Sequence, residues 1–269
     1  MLRRLPLLIL VLWALAALFG QLGATGANLV QLEYILEPPG TAGILGFDDL
    51  GRPVLERLLA GARTSFLVAF GVVSLSLLFG VVLGLVASYR GGWADLLLVR
   101  VIDIFMAFPG ILLAIALAGV MGPGLDNLII ALTVVGWVGY ARLVRGQVLT
   151  LKHRDHVTAA VALGSSRGYI LTRHLLPLLA APLIVEATFG IAGMVIAEAG
   201  LSFLGLGVQP PDASWGSMIR DGTGYMLTAP HLVLAPGITM ALVVLALNLT
   251  GDRLRDRLDI RLATAQKMW

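Results

Sequence analysis

"TSFLVAFGVVSLSLLFGVVLGLVAS", residues 64–88, runs for 25 residues without a charge. A helix crosses the hydrocarbon core of a bilayer in roughly 20 residues at about 1.5 Å each, so this stretch is long enough to span it. The rest of the chain has the same character. Of its 269 residues 58% are apolar and 13% charged, and the mean hydropathy of +0.91 lies well outside the soluble range. Comparable runs at 5–24, 96–120, 127–144, 180–204 and 231–250 bring the expected spans to six. The sequence therefore predicts an all-α integral membrane protein with about six transmembrane helices in one bundle. With no cysteine in the chain, disulfides and thiolate chemistry are excluded.

The cations orient the bundle. With the amino terminus inside, 14 of the 19 Lys and Arg fall in inner segments: Arg3, Arg4, Arg90, the six between Arg142 and Arg173, and the five between Arg253 and Lys267. Four fall outside (Arg52, Arg57, Arg63 and Arg220), and Arg100 lies within a span. This asymmetry predicts both termini in the cytoplasm and accounts for a pI near 9.6 without nucleic acid. Residues 1–24 resemble a secretory signal with small residues at 23–27, but the run is long for one and is expected to stay. Residues 1–63 are expected to hold the first span and an outer loop, and 64–250 the transmembrane core. Residues 251–269 form a cytoplasmic tail. A short interfacial helix is expected within 51–65, starting near Pro53. A second outer loop covers about 205–230.

The longest inner loop, 145–179, contains "DHVTAAVALGSSRGYILTRHLLP" (155–177). Val157, Ala160 and Val161 recur at helical spacing, Gly164 suits a left-handed cap, and Ser165 or Ser166 can cap a second helix through Leu175. Pro177 is expected to bend the chain before the fifth span. An amphipathic linker resting on lipid headgroups is one reading of this helix, elbow and helix. A docking element is the other, because a face of Ala159, Ala160 and Ala162 lets a partner's backbone come close.

The same residues resemble the motif of binding-protein-dependent ABC importer permeases: Glu-Ala-Ala, three residues, Gly, nine residues, Ile, one residue, Leu-Pro. Ala159, Ala160, Gly164, Leu176 and Pro177 fall on that spacing, while Thr158 replaces the Glu and His174 the Ile. Further stretches resemble the dipeptide, oligopeptide and nickel branch: 45–65, "YRGGWAD" (89–95), "LSFLGLG" with "SWG" (201–216) and "GDRLRDRLD" (251–259). Phe47, Pro53 and Ile260 depart from its usual residues.

The resemblance implies a coupling helix between spans 4 and 5 that fits a groove on a cytoplasmic ATPase, formed here by Asp155, Thr158, Ala159, Ala160, Gly164, Ser165, Leu176 and Pro177. It also implies a second homologous permease in a heterodimer, two ATPase subunits, an extracytoplasmic solute-binding protein, and a place in the bacterial inner membrane. The expected function is ATP-driven import of peptides or a related small solute, such as a nickel complex or glutathione, by alternating access.

Chemistry that is missing points the same way. A phosphate cradle needs Gly, four residues, Gly, Lys and Ser or Thr, and neither Lys152 nor Lys267 follows such a loop. ATP and Mg are therefore expected on partner subunits, with no cofactor on this chain. No His-Glu-x-x-His or Gly-x-Ser-x-Gly occurs, so a membrane enzyme is not expected. Three acids lie in or near spans, where a carboxylate at the bilayer centre costs about 2.5–3.5 kcal/mol unless it faces a cavity or partner. Asp103 is expected to pair with Arg100, and Glu198 to meet interfacial water. Glu186 is the leading candidate for a polar substrate path, a buried structural hydrogen bond being its other reading, with Asp103 and Glu198 behind it. Met106 and Met194 read as packing, as do Gly71, Gly80, Gly84, Gly190 and Gly193. His231 stands alone. The same acids motivate the alternative of a self-contained secondary transporter or channel.

Overall fold

The computed structural model describes residues 4–23, 26–40 and 42–258, and among these the chain is helical apart from turns and one isolated β-bridge, Phe47 to Pro53. Arg3, Ala24, Thr25, Ile260, Arg261 and Lys267 lie outside the described residues. The helices are α1 Leu5–Gly23, α2 Val54–Arg90, α3 Gly92–Met106, α4 Gly110–Met121, α5 Leu125–Leu151, α6 Asp155–Ala162, α7 Arg167–Tyr169, α8 Leu176–Phe203, α9 Trp215–Thr223 and α10 His231–Leu258. Four continuous helices are long and apolar enough to cross a membrane: α2, α5, the run Arg167–Phe203, and α10. The pair α3 and α4 makes a fifth candidate, and α1 is a shorter apolar helix.

Three expectations are corrected here. No separate interfacial helix forms over 51–65, because α2 starts at Val54 with Pro53 as its N-cap and runs unbroken for 37 residues. That length is about 55 Å, well beyond a bilayer core of about 30 Å, so its first turns are covered by protein instead. Gly61 makes this cover possible, since a Cβ there would stand 3.1 Å from Trp215 Cδ1.

The span expected over 96–120 is not one continuous helix. α3 and α4 meet at 83°, with the break at Ala107–Pro109. Pro109 has no N–H and drives Phe108 out of the helical region, and it serves as the N-cap of α4 with ψ 120°.

Pro177 does not interrupt the chain either. A π-helical turn, Ile170–Leu175, precedes it, in which the Leu176 N–H donates to Leu171 O five residues back. The wider turn leaves room for the ring over the carbonyl of the preceding turn, so α7, this turn and α8 form one helical path.

The centre of the bundle is the crossing of α2 and α5. A Cβ at Gly80 would lie 2.5 Å from Tyr140 Cβ and 2.7 Å from Trp137 O, and one at Gly84 would lie 2.9 Å from Ala141 O. Two backbones at this distance bring many atoms into dispersion contact, the main attraction between helices where lipid removes the hydrophobic drive. Gly71 and Gly193 face open space.

The two ends of the bundle differ. At one end lie the start of α1 and the end of α10, which share a cavity wall through Leu7 and Arg253, together with the 152–177 elbow. At the other lie the 26–53 loop and α9. The bent pair connects the two ends, since Asp95 on α3 pairs with Arg145 while Gly124 N–H, just past α4, donates to Leu206 O.

Candidate coupling segment and polar path

The glycine cap and the serine cap of the elbow form where the sequence places them. Gly164 sits at φ +79°, Ser165 N–H donates to Ala160 O and Gly164 N–H to Val161 O, so the last carbonyls of α6 are satisfied by a left-handed glycine cap. Ser166, of the two serines, caps α7 by accepting from Tyr169 N–H at 3.3 Å. Val157, Ala160, Ile170 and Leu175 are buried against Val144, Val148, Leu151 and Leu179, which seats the elbow on the ends of α5 and α8. Ala160 thus faces inward, not outward with Ala159 as the small-residue face required. Asp155, Thr158, Ala159, Gly164, Leu176 and Pro177 are exposed, Ser165 is half-buried, and the Thr158 hydroxyl donates to Arg154 O. Leu163 stands 87% exposed at the tip, a large apolar side chain that nothing in this chain covers. The sequence reasoning passed over it, though its place before the cap glycine was visible.

An ion pair braces this end. Arg145 reaches Asp95 through two bonds, Nε to Oδ1 at 2.7 Å and Nη2 to Oδ2 at 2.9 Å, and Lys152 Nζ donates to Ser88 O. Arg100 and Asp103, expected to pair, form no salt bridge, and both side chains are exposed on α3. Asp95 belongs to "YRGGWAD", where positive φ at Gly91 and Gly92 turns the chain so that the first turn of α3 faces α5. Elsewhere at this end His156 and His174 stack at 6.0 Å. Among the described residues no group of three His, Cys, Asp or Glu is placed to hold a metal.

Glu198 does not meet water. It is 0% exposed and accepts from the Ser65 hydroxyl at 2.9 Å and the Ser202 hydroxyl at 2.7 Å, with the Ser214 hydroxyl also reaching it. These serines belong to α2, α8 and the N-cap of α9, so the carboxylate ties three elements together. Around it Gly216 packs so tightly on Ala199 that a Cβ would overlap its backbone, and Ser214 and Ser217 form a reciprocal capping box.

The 26–53 loop carries a second polar knot. Asp48 accepts from Arg52 N–H and Nε at 2.8 and 2.7 Å, and Arg57, 3% exposed, stands 3.4 Å away. Burial pushes the neighbouring Asp49 carboxyl above its usual range, with Asp48 and Asp221 adding to the shift and Arg52 opposing it. His231 is not alone: its Nε2 lies 3.3 Å from the Phe47 carbonyl.

Glu186 lies apart from the other two acids. It sits on α8 facing α5, where it borders three cavities. One of about 620 Å³ opens toward the elbow end and includes Gln147, Phe189 and Arg255. Another is lined by Gly139, Arg142 and Gly146. Met194 packs into the core from the same helix, while Met106 is half exposed and accepts a long contact from Arg142 at 3.4 Å.

Comparison with known proteins fits this architecture. In solved structures, the inward-facing MetNI methionine ABC transporter contains a chain similar in fold, with TM-score 0.61 and 21% identity over 75% of this chain and 96% of that one. The dipeptide transport system permease protein DppC of Alkalihalophilus pseudofirmus is 44% identical over 83% of this chain and 74% of its own length. The glutathione transport system permease protein GsiD of Pectobacterium atrosepticum is 41% identical over 87% and 78%. The di/tripeptide permease protein DppC of Pseudomonas aeruginosa is 43% identical over 87% and 79%. The family described as binding-protein-dependent transport system inner membrane component matches residues 76–264. A multi-pass bundle with a folded loop cap at one end and a glycine-capped elbow at the other is thus a permease component of an ABC importer, and the chain belongs to that family.

Proposed function

We propose that this permease imports small peptides or a peptide-like solute such as glutathione. The observation that carries the substrate class is the similarity, over more than four-fifths of the chain, to dipeptide, di/tripeptide and glutathione permeases. In such systems the ATPase is a separate subunit and a binding protein delivers the solute. Six crossings follow if α1 and the bent α3–α4 pair each traverse the bilayer, with both termini and the elbow in the cytoplasm where the cations gather. A second permease covers the open face of α5 and α8 around Gly139, Gly146 and Glu186, and the solute passes along it. The elbow docks an ATPase through Ala159, Leu163, Gly164 and Ser165, with Asp155, Thr158, Leu176 and Pro177 at its margins and Ala160 anchoring it from inside. A self-contained carrier is set aside by the family membership.

Gly164→Glu tests the docking role. An unpaired carboxylate pressed into an interface costs a few kcal/mol, so ATP-driven uptake should fall roughly tenfold or more while the complex still reaches the membrane. Undiminished uptake in that variant removes the elbow from coupling.

A further inference from the structure

A third cavity, of about 130 Å³, lies where α2, α5 and α8 meet; Val73, Met194 and three glycines line it together with the polar Ser76, Tyr140 and Glu186. Ser76 and Tyr140 are 1% and 6% exposed, and neither hydroxyl has a hydrogen-bond partner. A serine or threonine in a span often returns its hydroxyl to a carbonyl one turn back, as Thr188, Thr239 and Thr250 do here; Ser88 and Thr133 are also unpartnered, but only Ser76 and Tyr140 border this cavity. Glu186, on the same wall but itself exposed along the adjoining openings, has no salt-bridge partner among the described residues, and Arg142 lines only one of those openings. Glycine keeps the room open: a Cβ at Gly136 would stand 2.6 Å from Ser76 Oγ, and one at Gly190 would overlap the Tyr140 hydroxyl.

We propose that Ser76, Tyr140 and Glu186 form a subsite for a primary ammonium group, the charged amino end of the transported solute. An ammonium carries three N–H donors and no acceptor, and this wall offers a carboxylate and two hydroxyl oxygens. The carboxylate supplies the opposite charge that attracts the ammonium. Room for several waters lets the ammonium arrive partly hydrated and leave again, as a transport site requires. The inference rests on the peptide-import reading, since peptides and glutathione both carry a primary ammonium.

The test uses the full transporter in proteoliposomes, with both permeases, the ATPases, the binding protein and ATP, and labelled Ala-Ala as the probe. Tyr140→Phe and Ser76→Ala remove hydroxyls that bond to nothing in the chain, so melting temperature and assembly should match wild type. Each should lower Ala-Ala uptake about tenfold, the usual worth of one hydrogen bond to a charged group. Glu186→Gln should lower it further, and Tyr140→Phe should then add little. Millimolar methylammonium should inhibit the wild type and not Glu186→Gln. Uptake within twofold of wild type in all three variants overturns the subsite and leaves the import reading standing. Equal inhibition by sodium assigns the site to inorganic cations and also overturns it. A wild-type complex that accumulates neither Ala-Ala nor glutathione overturns both.

Discussion

Glu198 has the most to lose from a single change. Its burial is tolerable only because serine hydroxyls surround it, and replacing it by Ala leaves them without an acceptor at about 1–3 kcal/mol each. Thermal unfolding of the purified complex should therefore show Glu198→Ala melting well below wild type and Glu198→Gln, which keeps one acceptor oxygen, falling between. Asp49 behaves oppositely. Its carboxyl is raised in the fold by burial and by Asp48, so the folded state holds the proton more tightly than the unfolded chain does. Its contribution to stability is thus favourable at low pH and is lost as pH rises from the unfolded value through the raised one. Asp49→Asn should raise the melting temperature at pH 7–8, and the gain should vanish near pH 3; a variant less stable at both would contradict this sign.

Among the elements, what could be foreseen divides by cause. Helices α2, α5, α8 and α10 were legible because long apolar runs have few alternatives, and the elbow because a cap glycine and Ser166 are local signals. What was not legible depended on distant partners. The fusion of 51–65 into α2 requires Trp215 and the outer loop to cover Gly61 and Arg57, and nothing near residue 60 announces them. Asp95 and Arg145 are 50 residues apart, while Arg100 lay conveniently three residues from Asp103. Pro109 was visible, but the 83° turn it permits depends on α4 packing Ala114 and Ala118 onto Leu128, Ala131 and Leu132 of α5. The α2–α5 crossing gives this scale its own prediction. Gly80→Leu forces a side chain into the Trp137–Ala141 backbone, and overpacking of this kind costs about 1–3 kcal/mol or more. Expression with loss of the monodisperse complex on size-exclusion chromatography is the expected outcome, whereas Gly71→Leu, which faces open space, should behave as wild type.

For the whole molecule, the loop cap, the long helices and the elbow are joined by continuous contacts. Glu198 joins the cap to α2 and α8, and α8 continues without a break through the π-helical turn into α7 beside Gly164. Under the proposed docking role, movement imposed at the elbow would be delivered along this continuous helix past Glu186 toward Glu198. Of the candidate residues, the elbow set could be named from sequence because its spacing is local. The Ser76, Tyr140 and Glu186 set could not, because it comes from three helices that meet only in the fold. The absence of cysteine makes the central claim directly measurable. With Leu163→Cys as the only thiol of this chain, oxidative or short-linker crosslinking in membranes containing cysteine-scanned ATPase should give one specific adduct whose yield changes on adding ATP. A Leu163→Cys permease that assembles and transports normally, yet crosslinks to no ATPase position with or without nucleotide, would contradict the account.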